Sequence, residues 1–216
     1  MITVSPARPG DLTAAAEVLA EAFVDDPVTG AVLRRTGADR LRCAQHLFVA
    51  LLRPAIADGT VDLARRADDS QVLGVAIWEA PGAVTTVARL AAQLPSFWRA
   101  CGATGLVRAL ATKRAVERYR PRQPHWYLQE IGVAADARGQ GIGGALLDAR
   151  LADVDRQGAG AYLESSTERN RRLYRRYGFL DGAPVRRVPA SPVTMWRPPS
   201  SDQAPRPAAT TPHPSA

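Results

Sequence analysis

Cysteine is scarce in this sequence, and long apolar segments are absent. Of the 216 residues only two are cysteine, Cys43 and Cys101, which stand far apart and in no spacing typical of a metal or redox site. We therefore expect two reduced thiols and no metal. No apolar run approaches the roughly 18 residues that a membrane-spanning helix needs, and residues 1–11 contain no apolar signal core. We expect a cytoplasmic protein without a membrane partner.

Acidic residues are also in the minority. The chain carries 28 lysines and arginines against 21 aspartates and glutamates, which gives a formal charge of +7. Such a surface attracts anions, and these include nucleic acid, an anionic membrane and a phosphate-rich small molecule. No basic stretch of the sequence is interleaved with aromatic residues, so we expect no nucleic-acid partner.

The composition divides the chain into a domain and a tail. Its hydrophobic content of 46% is enough for one globular domain with a sizeable core. After Pro198 the sequence consists mainly of proline, serine, alanine and threonine, which cannot bury apolar surface. We therefore predict one domain over residues 1–198 and a disordered tail over residues 199–216.

Hydrophobic periodicity and turn residues predict mixed strands and helices, which is typical of a single α/β or α+β domain. The predicted strands are Ile2–Ser5, Thr60–Arg66, Val72–Glu79, His125–Val133, Ala161–Ser165 and a pair of strands within Phe179–Trp196. The predicted helices are one that Asp11 caps and that reaches Phe23, followed by Val28–Arg34, Asp39–Ala57, Val84–Leu94, Gly105–Tyr119, Gly141–Arg156 and Arg169–Tyr177. The fourth and fifth of these helices are separated by Pro95 and a stretch that contains Trp98.

A glycine-rich turn, Arg138-Gly-Gln-Gly-Ile-Gly143, links the strand that ends at Val133 to the following helix. Glycine lets the backbone come close to a ligand and point its amides inward, and the helix adds a partial positive charge. Together these features predict a binding site for phosphate or pyrophosphate. The alternative is a turn whose glycines only permit close packing.

The same turn also fits a dinucleotide fingerprint, because Gly139, Gly141 and Gly144 satisfy G-x-G-x-x-G and Glu164 ends the next strand. An NAD-dependent oxidoreductase is therefore a competing hypothesis. Three features disfavour it. Five residues separate the strand from the first glycine, the turn lies past the middle of the chain, and too little sequence follows to complete a nucleotide-binding half.

A short helix after the next strand carries a tyrosine of interest. Thr167 is a good N-cap, and Asn170 and Tyr174, four residues apart, share one helix face. Gly178 then stands where a helix commonly ends. The alternative for Tyr174 is a packing aromatic.

In combination these segments resemble the GNAT superfamily of acyl-CoA N-acyltransferases. The resemblance consists of an arginine-started Gly-x-Gly-x-Gly turn, a strand, and Leu-Tyr-x-x-x-Gly-Phe over residues 173–179. It covers residues 2–197 in layout, and it is strongest over 125–180, where the chain is most similar to the puromycin N-acetyltransferase subgroup. The resemblance implies a single-domain GNAT fold with a mixed central sheet of six or seven strands flanked by helices.

The resemblance also implies a function and a set of cofactor contacts. The reaction would be direct transfer of acetyl from acetyl-CoA to a primary amine, such as one on an antibiotic or another small molecule, in a ternary complex. The pantetheine arm would lie along the strand that includes Ile131 and Val133, with Asn170 contacting CoA and Tyr174 donating a proton. The diphosphate would meet the amides of Arg138, Gly139, Gln140, Gly141, Ile142 and Gly143. The commonest family pattern has its asparagine seven residues before the tyrosine, where Thr167 stands; the puromycin-like subgroup has the four-residue offset seen here.

The remaining chemistry needs a base and an acceptor pocket. Glu130, on the strand beside the thioester, is the predicted base, with Glu164 and His125 as alternatives; Glu130 is otherwise a hydrogen-bonded strand carboxylate. The predicted acceptor residues are Asp25, Asp26, Trp78 and Glu79. The aspartates would otherwise cap the next helix, and Trp78 would otherwise fill the core. We expect a monomer or homodimer, and a non-catalytic acyl-CoA sensor remains an alternative function.

Overall fold

A computed structural model describes residues 1–34, 39–67, 70–83 and 87–200. Three parts of the predictions lie outside these residues. They are the centre of the turn after the second strand, the first residues of the helix predicted from Val84, and residues 201–216 of the predicted tail.

Seven strands form one mixed sheet, as predicted. Their order across the sheet is β1-β2-β3-β4-β5-β7-β6, and every neighbouring pair is antiparallel except β4 with β5. The strands are β1 Ile2–Pro6, β2 Val61–Arg66, β3 Val72–Glu79, β4 His125–Val133, β5 Gly160–Ser165, β6 Leu180–Pro184 and β7 Val193–Arg197. The predicted hairpin of β2 and β3 and the predicted C-terminal strand pair are both confirmed.

Helices cover both faces of this sheet. They are α1 Leu12–Phe23, α2 Pro27–Val32, α3 Asp39–Ala57, α4 Val87–Glu117, α5 Ile142–Arg156 and α6 Glu168–Arg176. Gly132 of β4 lies against α1, where an added Cβ would meet the Leu19 side chain at 2.9 Å. Gly74 of β3 faces α5, where an added Cβ would meet Ile142 at 2.6 Å. No helix within the described ranges combines the length and apolarity needed to cross a lipid bilayer.

The prediction of two helices in this segment is confirmed, but the break does not lie at Pro95, because the first helix continues through this proline. A proline inside a helix removes one amide donor, and the other hydrogen bonds of the helix persist. The interruption lies instead at Gly102, whose backbone is non-helical (φ 60°, ψ −173°). The amide of Arg34, after α2, donates to the carbonyl of Ala100 at this kink (2.8 Å).

The predicted cap of α1 is also wrong in its contacts. Asp11 stands at the N-cap position, but its carboxylate accepts from the amide of Arg8 (2.8 Å) and pairs with Arg65 (2.7 Å). The reason is the short 3-10 turn Pro9–Asp11, which gives Asp11 helical backbone angles. An N-cap side chain reaches back to the first turn only from an extended backbone.

A buried ion pair joins α5 to β2. The guanidinium of Arg150 donates to both carboxylate oxygens of Asp62, at 2.8 and 2.7 Å. Arg150 also lies over the ring of Trp126 on β4, 5.2 Å from its centroid. This pair fixes the register of α5 on the sheet, and hence the place where α5 begins.

Candidate active site

The parallel strands β4 and β5 pair only where they begin. Three residue pairs join them, His125 with Gly160, Trp126 with Ala161, and Tyr127 with Tyr162. From residue 128 to residue 133, β4 has no partner in β5, although its other edge pairs with β3 as far as Val133. The amides and carbonyls of this part of β4 that point toward β5 are therefore open to pairing with an extended ligand.

A β-bulge in β4 controls which side chains face the same way. Glu130 pairs with Ile77 and Leu128 pairs with Trp78, so Gln129 has no partner in β3. Tyr127 pairs with Glu79, two residues from Ile77, and residues two apart on a strand share a face. Glu130 and Tyr127 therefore lie on one face although they are three apart. The bulge therefore interrupts the strict alternation of side chains along β4.

The glycine-rich turn lies at the end of the open edge, as predicted. Gly139 and Gly141 have φ angles of 81° and 80°, in the left-handed region that favours glycine. Gly141 is the N-cap of α5, and it offers no side chain to the first amides of the helix, which start at Ile142. Unpaired amides at a helix N-terminus form an anion site. Arg138 is exposed at the rim of this turn.

Side chains behind the turn hold it in place. The side-chain Nε2 of Gln140 donates to the backbone carbonyl of Asp136 (3.0 Å). Leu173 of α6 lies near Gly143, at 3.7 Å from an added Cβ, and an added Cβ at Gly144 would approach the Tyr177 hydroxyl to 2.9 Å. Gly144 therefore serves helix packing. This contact, together with a sheet that is antiparallel except for one pair, contradicts the dinucleotide-binding hypothesis.

Tyr174 lies on the buried face of α6. Thr167 caps this helix as predicted, accepting from the amide of Asn170 (3.2 Å), and Asn170 is exposed one turn before Tyr174. The Tyr174 ring packs edge-on against Phe179, with centroids 5.9 Å apart. Burial, followed by the negative charge of Glu130, raises the pKa of Tyr174 well above its usual range. The phenol therefore keeps its proton at neutral pH.

Glu130 is a carboxyl group in an unfavourable place for charge. Burial, followed by the charges of Asp26 and Glu164, raises its pKa to about 8. These acids come from three elements, the start of α2, β4 and β5. The charge of Glu130 also raises the pKa of Tyr174, so Asp26, Glu164 and Tyr174 all lie near Glu130.

The predicted acceptor residues take different positions. Asp26 caps α2, accepting from the amides of Val28 and Thr29 at 2.9 Å each, so the capping alternative is what the structure has. Its second oxygen accepts from the Ser166 hydroxyl (3.2 Å), which keeps Asp26 beside the end of β5. Asp25 is exposed.

The two predicted acceptor residues of β3 lie on opposite faces. Trp78 is 1% exposed, in the core, on the face opposite Ile77 and its partner Glu130. Glu79 faces the same way as Glu130 and forms a bidentate ion pair with Arg120, at 3.0 and 3.5 Å. Trp98 of α4 is 54% exposed.

Sequence reasoning missed a network that includes Tyr127 and Arg120. The Tyr127 hydroxyl donates to Glu164 (2.9 Å), and the Arg120 guanidinium lies over the Tyr127 ring, 3.7 Å from its centroid. His125, an alternative base, is turned toward the backbone carbonyl of Gln123 (2.7 Å). The aromatic residues at the start of β4 were the only sequence signal, because Arg120 reaches the site through tertiary packing alone.

Comparisons with known proteins agree with this geometry. Residues 44–180 match the family model described as an acetyltransferase (GNAT) domain. An uncharacterised N-acetyltransferase of Schizosaccharomyces pombe is 26% identical over 190 residues, which cover 79% of this chain and 71% of that protein.

Solved structures share the fold. One described as histone acetyltransferase HPA2 and related acetyltransferase from Corynebacterium glutamicum has 27% identity and a TM-score of 0.70, covering 92% of this chain and 97% of that one. The PaiA N-acetyltransferase of Thermoplasma acidophilum, in complex with coenzyme A, has 12% identity and a TM-score of 0.57 over 92% and 99% of the two chains. The latter likeness concerns the fold alone. The narrower resemblance to the puromycin N-acetyltransferase subgroup stays a prediction.

Proposed function

This chain belongs to the GNAT acetyltransferase family and is an acyl-CoA-dependent N-acyltransferase, and from this premise we propose that it transfers acetyl from acetyl-CoA to a primary amine of a small molecule. The transfer is direct, within a ternary complex of both substrates. The observation that carries the proposal is the open edge of β4 leading to the turn at Gly139 and Gly141.

The residues present fit acetyl-CoA. The exposed turn of residues 138–141, which ends at the first amides of α5, suits a diphosphate. The unpaired groups of β4 near Ile131 and Val133 suit an amide-containing arm, which pairs there as an added strand. Asn170, exposed one turn before Tyr174, is placed to contact the same arm.

When bound, acetyl-CoA supplies an activated thioester. The protein must then neutralise an amine, and for a lysine-like amine with a pKa near 10.4 this costs about 4–5 kcal/mol at pH 7. Glu130 is the proposed proton acceptor, because a carboxyl group whose pKa is about 8 holds a proton more readily than an ordinary glutamate. Burial of this kind is a common way to tune a catalytic base.

Tyr174 is the proposed proton donor at the sulfur that leaves. Its phenol is protonated, buried and close enough to Glu130 to respond to its charge. The amide of Val133, at the end of β4, is the proposed donor to the thioester carbonyl oxygen. Holding two substrates in line supplies several further kcal/mol, on the order that effective molarity allows.

The test combines binding with turnover. We expect acetyl-CoA to raise the melting temperature and NAD to leave it unchanged, since only a ligand of the native state stabilises it. We then expect thiol release from acetyl-CoA with a panel of primary amines, and slower release from longer acyl-CoA donors. Binding without thiol release from any amine would favour the sensor alternative, and stabilisation by NAD alone would contradict the proposal.

A further inference from the structure

The face that carries Glu130 holds more negative charge than the reaction needs. The charges of Asp26 and Glu164 both raise the pKa of Glu130 there. Arg120 is the cation that contacts this group, and it already forms a bidentate pair with Glu79. Carboxylates held away from water are unfavourable unless a cation or hydrogen bonds compensate them.

Two buried polar atoms in this group, one of them an oxygen of Glu164, have no hydrogen-bond partner among the described residues. The side chain of Tyr162 is 2% exposed, and its hydroxyl lies beside Glu164 but outside hydrogen-bonding geometry with it and with every other described residue. The Oε1 atom of Glu164 likewise has no hydrogen-bond partner among the described residues, whereas its Oε2 atom accepts a hydrogen bond from Tyr127. Buried polar groups in native proteins are almost always paired, so these two atoms indicate a ligand with several donors.

The aromatic rings at this point already accommodate a cation. The guanidinium of Arg120 lies 3.7 Å from the centroid of the Tyr127 ring, and the Tyr162 ring lies 6.0 Å from Tyr127, centroid to centroid. The faces of such rings attract positive charge. In the described part of the chain no group of three acidic, histidine or cysteine side chains is placed to hold a metal ion.

The amine that attacks the thioester and the cation that compensates Glu164 must be two different groups. The amine that attacks must be neutral, and its proton goes to Glu130, so this amine cannot also compensate Glu164. Building on the function proposed above, we propose that the acceptor is a diamine, one nitrogen of which is acetylated while the other, as an ammonium ion, is held by Glu164 and Tyr162 against the Tyr127 ring. The amide bond forms at the first nitrogen and the thioester bond breaks; the leaving sulfur takes the Tyr174 proton, and the acetylated nitrogen gives its extra proton to the Tyr174 phenolate.

Matched acceptors test this proposal with the wild-type protein. We compare 1,4-diaminobutane with 1-aminobutane and 4-amino-1-butanol, which have the same carbon chain and lack the second charge. The expected kcat/KM for the diamine is at least about tenfold higher, as one charge-assisted hydrogen bond provides. Equal kcat/KM values for diamine and monoamines, with thiol release from both, would overturn the diamine proposal and leave the proposed function standing.

A matched pair of variants tests the residue. Glu164→Gln keeps an acceptor for Tyr127 and removes the charge; we expect the ratio of diamine to monoamine kcat/KM to fall about tenfold or more, chiefly through KM. Glu21→Gln, an exposed site on α1, is the control and should keep the wild-type ratio. An unchanged ratio in Glu164→Gln would overturn the assignment. No thiol release with any amine, and no thermal shift with acetyl-CoA, would instead overturn the proposed function.

Discussion

Replacing Glu130 with glutamine should make the protein more stable in alkaline solution while removing its activity. Burial and neighbouring acids raise the pKa of this carboxyl from 4.5 to about 8 in the folded protein. In the unfolded chain it ionises near its ordinary value. Between these two values the unfolded state releases a proton that the folded state keeps, so stability of the wild type falls as pH rises. A glutamine carries no such penalty.

The magnitude follows from the two pKa values. A rise from 4.5 to about 8 corresponds to at most roughly 4–5 kcal/mol above pH 8, at 1.36 kcal/mol for each pH unit. For a domain of this size each kcal/mol moves the melting temperature by about 2–4 °C. We therefore expect Glu130→Gln to melt several degrees above the wild type at pH 9, and close to it at pH 4.5.

The assay is thermal melting of both proteins across pH 4.5–9, paired with thiol release over the same range. Wild-type kcat/KM should rise with an apparent pKa near 8, as Glu130 becomes able to accept a proton. The variant should lose this limb, with activity lower by on the order of 10²–10⁴-fold. A difference in melting temperature that does not vary with pH, or full activity in the variant, would refute the reasoning.

Three further predictions concern the tyrosine, the turn and the ion pair. Tyr174→Phe should lower kcat by on the order of 10²-fold or more and leave the Kd for CoA nearly unchanged; equal turnover would remove the phenol from the mechanism. Gly141→Ala should cost about 1–2 kcal/mol of backbone strain and weaken CoA binding about tenfold or more, whereas Gly158→Ala, also at positive φ (60°) but at the far end of α5, should destabilise without affecting CoA; equal CoA loss in both would contradict an anion site. Arg150→Met should lower the melting temperature by about 10 °C by leaving Asp62 buried and unpaired, and Asp62→Leu in the same chain should recover part of the loss; a melting temperature like that of the wild type would show that the pair is not structural.

The sequence was sufficient for features that depend on local pattern. Strand and helix bounds followed hydrophobic periodicity, and the glycines of the turn marked the backbone that only glycine adopts readily, at Gly139 and Gly141. Thr167 marked the start of α6 because capping is a contact within four residues. These signals mark the part of the chain that we propose as the cofactor side of the site.

Features set by tertiary contacts were out of reach. The bulge at Gln129, which turns Glu130 toward Tyr127, depends on how β4 pairs with β3. Arg120 lies in the segment after α4, and nothing near it in sequence indicates that it will lie over an aromatic ring of β4. The position of Trp78 on the opposite face follows from the same pairing. The acceptor side of the site was therefore less predictable than the cofactor side.

The short junction between β4 and β5 has a consequence for the catalytic cycle. In the proposed reaction the pantetheine arm pairs with the open edge of β4. Each cofactor binding event therefore covers this edge, and each product release exposes it again. The backbone amides of β4 beyond residue 127 that point toward β5 should then exchange with deuterium readily in the free protein and slowly with CoA bound. The rate of product release would then depend on how readily β4 and β5 move apart about the three residue pairs that join them.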